Sequence, residues 1–294
     1  MIEYLTRNQL NVEKYDNCIA KAFNTRIYAY SWFLNSVCDD FDVLVMNDYQ
    51  SVMPLPKRKK YGINYVYQAP WIQQLGIFSK DKIEENLVQE FINAIPKKFK
   101  LIDVFLNSEN TITSKHITIR DNFVLPLNNS YKAIRKQYSK GRKSSIKQAE
   151  NFNLEVVESY SPVEIIQLFK ENKGAELNKK DSDYEVLSVL VNHALSINHV
   201  KCYAVVTTDK VLIGGAFFLM DKHRITYLFS AINVQGREKH AMSFLIDTVI
   251  KTNAETNYIF DFEGSVLQPL ASFFKSFGAE KEMYYWYKKG VWKK

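Results

Sequence analysis

Cysteine is scarce in this chain of 294 residues, and its placement limits the class of protein. The three cysteines, Cys18, Cys38 and Cys202, are odd in number, scattered, and without the spacing of a metal site. A disulfide framework needs an even set of closely spaced cysteines in a small secreted chain, so this pattern excludes that class. We expect all three to be reduced and buried in the core of a cytoplasmic protein, rather than to act as redox groups or nucleophiles.

Long apolar runs are also missing. No stretch approaches the roughly 20 residues that a membrane-spanning helix needs, so we expect no membrane span. The start, MIEYLTRNQL, has neither the basic region nor the apolar region of a signal peptide, which again favours the cytoplasm. The histidines have no metal-ligand spacing, so we expect no metal site.

The length and the apolar content of the chain favour two domains. A single core usually stops growing at about 250–300 residues, and this chain has 294. Apolar residues make up 46% and aromatic residues 14%, which is enough for two cores. We expect an N-terminal domain over residues 1–130, a basic helical connector over 131–153 and a C-terminal domain over 154–294, with the option that the last strand returns to the first domain.

Positive charge is concentrated in one segment. The net charge is +7, and residues 131–150 account for +6 of it, with seven basic side chains against Glu150. The spacing i, i+4, i+7, i+11 predicts a single helical stripe made of Lys136, Lys140, Lys143 and Lys147. Such a stripe is either a solvated helix face or a binding surface for the phosphates of an anionic partner.

The order of predicted elements indicates an α/β protein with mixed sheets. Residues 154–288 give the order β-α-α-β-β-β-α-β-α-β, and the first half gives a hairpin, a helix and further strands. The segment Ser161-Pro-Val-Glu164 has the composition of a capping box with proline at the first helical position. Gly278 follows a short predicted helix at the position of a left-handed C-cap.

The chain resembles the Fem family of peptidoglycan-bridge aminoacyl transferases, in which two GNAT acyltransferase domains follow one another. Three stretches carry the resemblance: Ala69-Pro-Trp with Leu75-Gly76, the segment Tyr131–Asn151, and Phe260-Asp-Phe-Glu-Gly-Ser265 with Phe273-Phe-Lys-Ser-Phe-Gly-Ala279. The resemblance covers nearly the whole chain and is strongest in the third stretch. It implies an acyltransferase built from two GNAT-like domains.

The resemblance also implies site residues. Lys275 matches the lysine of the family's Phe-Lys pair, which implies a cation that stabilises negative charge on the acyl carbonyl or holds the end of a tRNA; the alternative is a solvated lysine. From the residues themselves, Asp261 and Glu263 lie two apart in a predicted strand over Tyr258–Glu263, so we expect both on one face. Either one is a candidate general base, or one caps the next helix and the other pairs with a lysine.

The acyl donor is left open between aminoacyl-tRNA and acyl-CoA. A CoA-dependent GNAT domain holds pyrophosphate on a glycine-rich turn, and here Gly236 and Arg237 are the residues near that place. Lys179 and Lys180 fall near the basic residue with which a Fem enzyme holds the phosphate of its precursor. The expected partners are thus a tRNA or a phosphate-bearing precursor. Two further alternatives are an acetyl-CoA-dependent N-acetyltransferase and a catalytically silent binding module that binds nucleic acid.

Overall fold

The computed structural model describes residues 1–174, 181–264 and 267–290. The chain forms two compact units. The first combines Met1–Asp121 with the chain from Glu282 onwards, and the second is Asn122–Lys281. Helices and mixed sheets occur in both, which confirms the predicted α/β class. No helix in these described ranges is long and apolar enough to cross a membrane.

The first unit is a mixed sheet with three helices. Its elements in chain order are β1 (Ile2–Leu5), α1 (Val12–Lys21), α2 (Ser31–Val37), β2 (Phe41–Met46), β3 (Ser51–Lys60), β4 (Ile63–Val66), β5 (Phe78–Ser79), α3 (Glu85–Ala94), β6 (Phe99–Leu106), the start of β7 (Ile117–Pro126), and nearly all of β13 (Glu280–Lys289).

The strand order of this sheet is β1-β2-β3-β4-β6-β13, and β5 pairs with the start of β3. Only β4 and β6 run parallel; the other neighbours in this order are antiparallel. The core contains fully buried aromatic side chains from α2, β2, β5 and α3, namely Phe33, Phe41, Phe78 and Phe91. Cys18 and Cys38 are buried thiols here and Cys202 is one in the second unit, as predicted.

The second unit carries the more regular element order. Its elements are the end of β7, α4 (Tyr131–Gln137), α5 (Lys140–Glu150), β8 (Glu155–Glu158), α6 (Pro162–Phe169), α7 (Asp181–Ser196), β9 (Val200–Val206), β10 (Leu212–Met220), β11 (Arg224–Ile232), α8 (Val234–Glu238), α9 (Ala241–Thr252), β12 (Ile259–Asp261) and α10 (Gln268–Lys275). The predicted order from residue 154 is confirmed, with α8 as an extra short helix.

The sheet of the second unit has the order β7-β12-β11-β10-β9-β8. The pair β11 and β12 is parallel, and the other neighbours are antiparallel. The helix α9 packs its apolar residues Leu245, Ile246, Val249 and Ile250 into the core. The predicted start of α6 is confirmed with Pro162 in its first turn, although the side chain of Ser161 makes no capping hydrogen bond.

Candidate active site

The two parallel strands of the second unit separate towards their carboxyl ends. Their pairing covers only Arg224 with Ile259, Ile225 with Phe260 and Thr226 with Asp261. After that β12 ends, while β11 runs on to Ile232. Ligands of open α/β sheets bind beside the carboxyl ends of parallel strands, so this separation marks the place for a candidate site.

A β-bulge lies in β11 at the same level. The register with β10 jumps between Phe217, opposite Phe229, and Phe218, opposite Tyr227, which leaves Leu228 as an extra residue. Bulges bend a strand and redirect its side chains, and they are common beside active sites. The last part of β11, which contains the bulge, is therefore not paired with β12.

Asp261, at the end of β12, is held in a buried network. Its carboxylate accepts hydrogen bonds from Arg224 Nη1 at 2.6 Å, Asn122 Nδ2 at 3.0 Å and the backbone N–H of Glu263 at 2.9 Å. The Asp261 side chain is 2% exposed and that of Arg224 is 8% exposed. Both carboxylate oxygens of Asp261 therefore already accept hydrogen bonds within this network.

The backbone at Glu263 does not continue the predicted strand. The predicted strand over Tyr258–Glu263 is too long, because β12 ends at Asp261. Glu263 has a φ of 52°, in the left-handed region, so the expectation that it shares a strand face with Asp261 is wrong. The hydrogen bond from its N–H to the carboxylate of Asp261 contributes to this sharp turn. Glu263 is half-buried, at the open end of β12.

The helix α10 places Phe274 inward and Lys275 outward. The Phe274 ring lies 5.1 Å from that of Phe262 and 6.3 Å from that of Tyr227. Lys275 is exposed, and its ammonium lies 5.3 Å from the centroid of the Phe123 ring. The carbonyl of Phe123 in turn accepts a hydrogen bond from the N–H of Phe262, at the end of β12. Lys275 therefore lies at the surface beside Phe123, the residue of β7 that is bonded to Phe262.

The C-terminal end of α10 contacts the junction of α4 and α5. Gly278 has a φ of 78°, as expected for a left-handed C-cap, and a Cβ there would lie 2.7 Å from the Cβ of Gln137. The carbonyl of Ser276 accepts a hydrogen bond of 2.9 Å from the N–H of Ser139. Glycine is thus needed both for the backbone turn and for the close approach to α4.

The basic segment forms two helices, and the prediction of a single helical stripe is wrong. The first helix ends at Gln137, Tyr138 is buried, and the side chain of Ser139 caps α5 by accepting a hydrogen bond from the N–H of Arg142 at 3.1 Å. The break is stabilised by tertiary contacts, since the Tyr138 ring packs edge-on against Phe277 at 5.3 Å. The residue pattern of the basic segment gives no sign of these contacts, so it could not predict the break.

The two helices line a shallow, open basic cleft of about 580 Å³. We define the basic cleft by its lining residues, which are Tyr131, Lys132, Arg135, Lys136, Lys143, Lys147 and Glu150. Three of the four lysines of the predicted stripe line it, and the fourth, Lys140, lies outside the lining at the start of α5. Lys143 also donates a hydrogen bond of 2.8 Å to the carbonyl of Lys136, which ties the two helices together.

The two residues expected to form a pyrophosphate cradle, Gly236 and Arg237, lie in the first turn of α8. The N–H of Gly236 donates to the side chain of Asn233 at 2.8 Å, and the N–H of Arg237 donates to the carbonyl of Asn233 at 3.1 Å. A Cβ at Gly236 would lie 2.1 Å from the carbonyl oxygen of Ile213, so this glycine serves close helix–strand packing. Both amides expected to face a phosphate are therefore already used within the fold. Lys179 and Lys180 lie outside the described residues.

Two polar groups near the basic cleft were missed by the sequence reasoning. Asp247 is buried in α9 and accepts a hydrogen bond of 2.7 Å from the hydroxyl of Tyr131, and burial raises the pKa of Asp247 above its ordinary value. The sequence feature that could have revealed Asp247 is a carboxylate within the apolar run of α9. The other is Arg142, which was counted only as part of the basic run.

Arg142 joins three helices. Its guanidinium lies over the rings of Phe273 and Phe277, at 4.2 and 4.6 Å from their centroids, and it donates hydrogen bonds to Ser276 on the α10 side and to Ser243 in α9. Burial lowers the pKa of Arg142 to about 10, so it keeps its charge at neutral pH. Arg142 thereby fixes the position of α5, and with it the basic cleft, relative to α10.

Comparison with solved structures gives the fold. A crystal structure of FemX matches with a TM-score of 0.69 and 12% identity, over 97% of this chain and 97% of that one. L-PGS from Bacillus licheniformis matches with a TM-score of 0.58 and 9% identity, over 95% of this chain and 91% of that one. A tandem GNAT protein from the clavulanic acid biosynthesis pathway matches with a TM-score of 0.53 and 10% identity, over 98% of each chain.

No protein-family model matches the sequence, and no curated protein matches it. The structural matches show that the chain has the tandem GNAT fold of FemX, so the resemblance predicted from the sequence motifs is confirmed for the fold.

Proposed function

We propose that this protein is a transferase that moves an aminoacyl group from tRNA onto an amine acceptor. The FemX-like fold supports a transferase of acyl or aminoacyl groups. The observation that carries the choice of donor is the first turn of α8, where the amides of Gly236 and Arg237 are bonded within the fold. A thioester donor needs such amides for its pyrophosphate, whereas a tRNA presents phosphates that suit the basic cleft.

In this proposal the residues of the second unit have separate roles. The basic cleft holds phosphates of the tRNA, and Arg142 positions it. The acceptor amine attacks the ester carbonyl of the donor, a C–N bond forms, and the C–O bond to the ribose breaks, so that the ribose hydroxyl leaves with a proton. Glu263 accepts the proton that the amine loses and passes it to the departing ribose oxygen, and the ammonium of Lys275 stabilises the oxyanion of the tetrahedral intermediate. Asp261 positions the Glu263 turn through its hydrogen bond to the backbone.

The acceptor in this proposal is a phosphate-bearing precursor in the cytoplasm, of the kind from which peptidoglycan is built. The likeness to FemX supports this choice. Lys179 and Lys180 are the residues proposed to hold its phosphate, on the sequence resemblance alone. Thermal-shift measurements with a uridine-diphosphate-linked muramyl pentapeptide test it, because a ligand at 100 times its Kd adds about 2.7 kcal/mol of stability.

Acyl-CoA is the second candidate donor, and the likeness to a tandem GNAT protein from an antibiotic pathway favours it. Isothermal titration of the purified protein with acetyl-CoA and with charged tRNA separates the two donors. Tight acetyl-CoA binding that is lost on Arg237→Ala, at an exposed position, with the variant still folded, would replace the aminoacyl proposal by an N-acetyltransferase. Binding of tRNA, charged or uncharged, without any turnover would instead favour a binding module.

Lys275→Ala tests the catalytic assignment. Loss of one preorganised charge stabiliser lowers the rate by about 10²-fold or more, so we expect that decrease in the single-turnover rate with charged tRNA. Lys275 is exposed, so the melting temperature should not change. The matched control is Lys222→Ala, in the exposed turn between β10 and β11, which should react at the wild-type rate. A wild-type rate for Lys275→Ala would remove Lys275 from the mechanism.

A further inference from the structure

A second concentration of positive charge lies in the first unit, at one edge of its sheet. The strand β3 is antiparallel to β4, β4 is parallel to β6, and β13 is antiparallel to β6. The end of β3, the start of β6 and the end of β13 therefore lie at the same end of the strands, along one side of the sheet. We call this the basic edge and define it by the residues Lys57, Arg58, Lys59, Lys60, Lys97, Lys98, Lys100 and Lys289.

Most of this charge faces solvent. Lys57 is half-buried and bonds to Asp42 at 2.6 Å and to Asp40 at 3.1 Å, and Arg58 pairs with Asp39 at 2.5 Å. The other six members of the basic edge are exposed lysines. Within the described parts of the chain, none of these six has a carboxylate at ion-pair distance. The basic edge therefore presents several exposed lysines, with Asp39 and Asp40 as the acidic residues in the pocket beside Lys59 and Lys98.

The hairpin between β3 and β4 adds an unusual tip to the basic edge. Its two-residue turn is Tyr61-Gly62, with φ of 50° and 78°. Turns with two positive φ values favour Asn-Gly or Asp-Gly, and a bulky residue at the first position is an outlier. Tyr61 is nevertheless 85% exposed, and Ile63 beside it is 36% exposed. The turn geometry does not favour a tyrosine here, and its ring is approached by the ammonium of Lys60 at 5.2 Å from the centroid.

We propose that the basic edge docks on an anionic lipid bilayer, with Tyr61 and Ile63 in the headgroup layer and the lysines around them on lipid phosphates. Tyrosine is enriched at membrane interfaces, where its ring meets apolar chains and its hydroxyl meets water. Lysines beside such an anchor are attracted to anionic lipid. A single-stranded nucleic acid would instead require a series of aromatic faces, and Ile63 offers none. The lipid surface is therefore the partner that fits both the charge and the tip.

Sedimentation with vesicles tests the proposal on the chain of 294 residues. We expect binding to vesicles of phosphatidylglycerol and phosphatidylcholine, and no binding to phosphatidylcholine alone. Each lysine near an anionic surface changes the partition coefficient by roughly fivefold, so neutralising three should weaken binding by about 10²-fold. The triple variant is Lys59→Gln, Lys60→Gln and Lys97→Gln. Its matched control neutralises Lys21, Lys80 and Lys82, which are exposed near the opposite end of β3, and should bind as the wild type does.

Tyr61→Asn separates docking from folding. Asparagine suits a turn with positive φ, so this variant should melt at the same temperature as the wild type or higher, while its binding to the anionic vesicles weakens by tenfold or more. Equal binding of both variants and the wild type would overturn the proposal. So would equal binding to the two kinds of vesicle. Binding of tRNA that depends on Lys59, Lys60 and Lys97, with no vesicle binding, would assign the basic edge to nucleic acid instead.

Discussion

Replacing Asp261 by Asn is the sharpest test of the role that the structure gives to this carboxylate. The change keeps an oxygen that can accept hydrogen bonds from Asn122 and from the N–H of Glu263, and it replaces the charged oxygen that faces Arg224 by an amide NH2, which cannot accept a hydrogen bond. The two side chains are 2% and 8% exposed, and their atoms Oδ2 and Nη1 lie 2.6 Å apart. Removing one partner of such a buried pair costs about 3–5 kcal/mol, because the other charge is left in the interior.

This loss is large compared with the about 5–15 kcal/mol by which a domain is stable. Urea unfolding followed by circular dichroism at pH 7 measures it. A buried pair can often be replaced as a whole at little cost, so Asp261→Asn combined with Arg224→Gln should recover most of the lost stability. The control is Asp209→Asn, in the exposed turn before β10, which should unfold as the wild type does.

Two results would refute this reasoning. One is a loss below about 1 kcal/mol, the scale of a surface ion pair. The other is a double variant no more stable than the single one. If Asp261→Asn were as stable as the wild type and abolished turnover, Asp261 would act as the general base and Glu263 would lose that role.

Two further predictions concern the basic cleft and the buried carboxylate behind it. The first variant changes the four lysines of the predicted stripe to glutamate, namely Lys136, Lys140, Lys143 and Lys147. It should abolish tRNA binding and flatten the salt dependence of that binding in filter-binding titrations. An unchanged salt slope would show that these lysines form a solvated helix face. Burial raises the pKa of Asp247, so the folded state binds a proton more tightly than the unfolded state, and stability should fall as pH rises from the ordinary pKa through the raised one. Urea titrations between pH 4 and 7 should show this slope for the wild type and a flatter profile for Asp247→Asn; equal slopes would contradict it.

Local signals in the sequence predicted the elements of the second unit well. The element order from residue 154, the start of α6 at Pro162 and the left-handed Gly278 all follow from nearby residues. Each of these features depends on hydrophobic periodicity, a proline at a helix start or a glycine after a helix, so the local sequence is sufficient.

The features that were missed depend on contacts between distant segments. The break before α5 needs the carbonyl of Ser276 and the ring of Phe277, which no pattern in the basic segment reveals. The role of Gly236 in packing requires the neighbouring carbonyl of Ile213. The basic edge joins lysines near residue 59 with lysines near residue 98, which only the pairing of β3, β4 and β6 brings together. The catalytic roles of Lys275, Glu263 and Asp261 stay predictions.

The position of β13 has a consequence for how the chain is made. This strand completes the sheet of the first unit beside β6, yet it follows the whole second unit in the sequence. During synthesis the sheet of the first unit therefore stays incomplete, with one side of β6 unpaired, until β13 has been made. The contiguous second unit can finish folding before that point. This reverses the usual order, in which the N-terminal domain folds first. A ribosome that stalls before Glu280 would release a chain with that edge uncovered, and an uncovered edge strand is a template for aggregation.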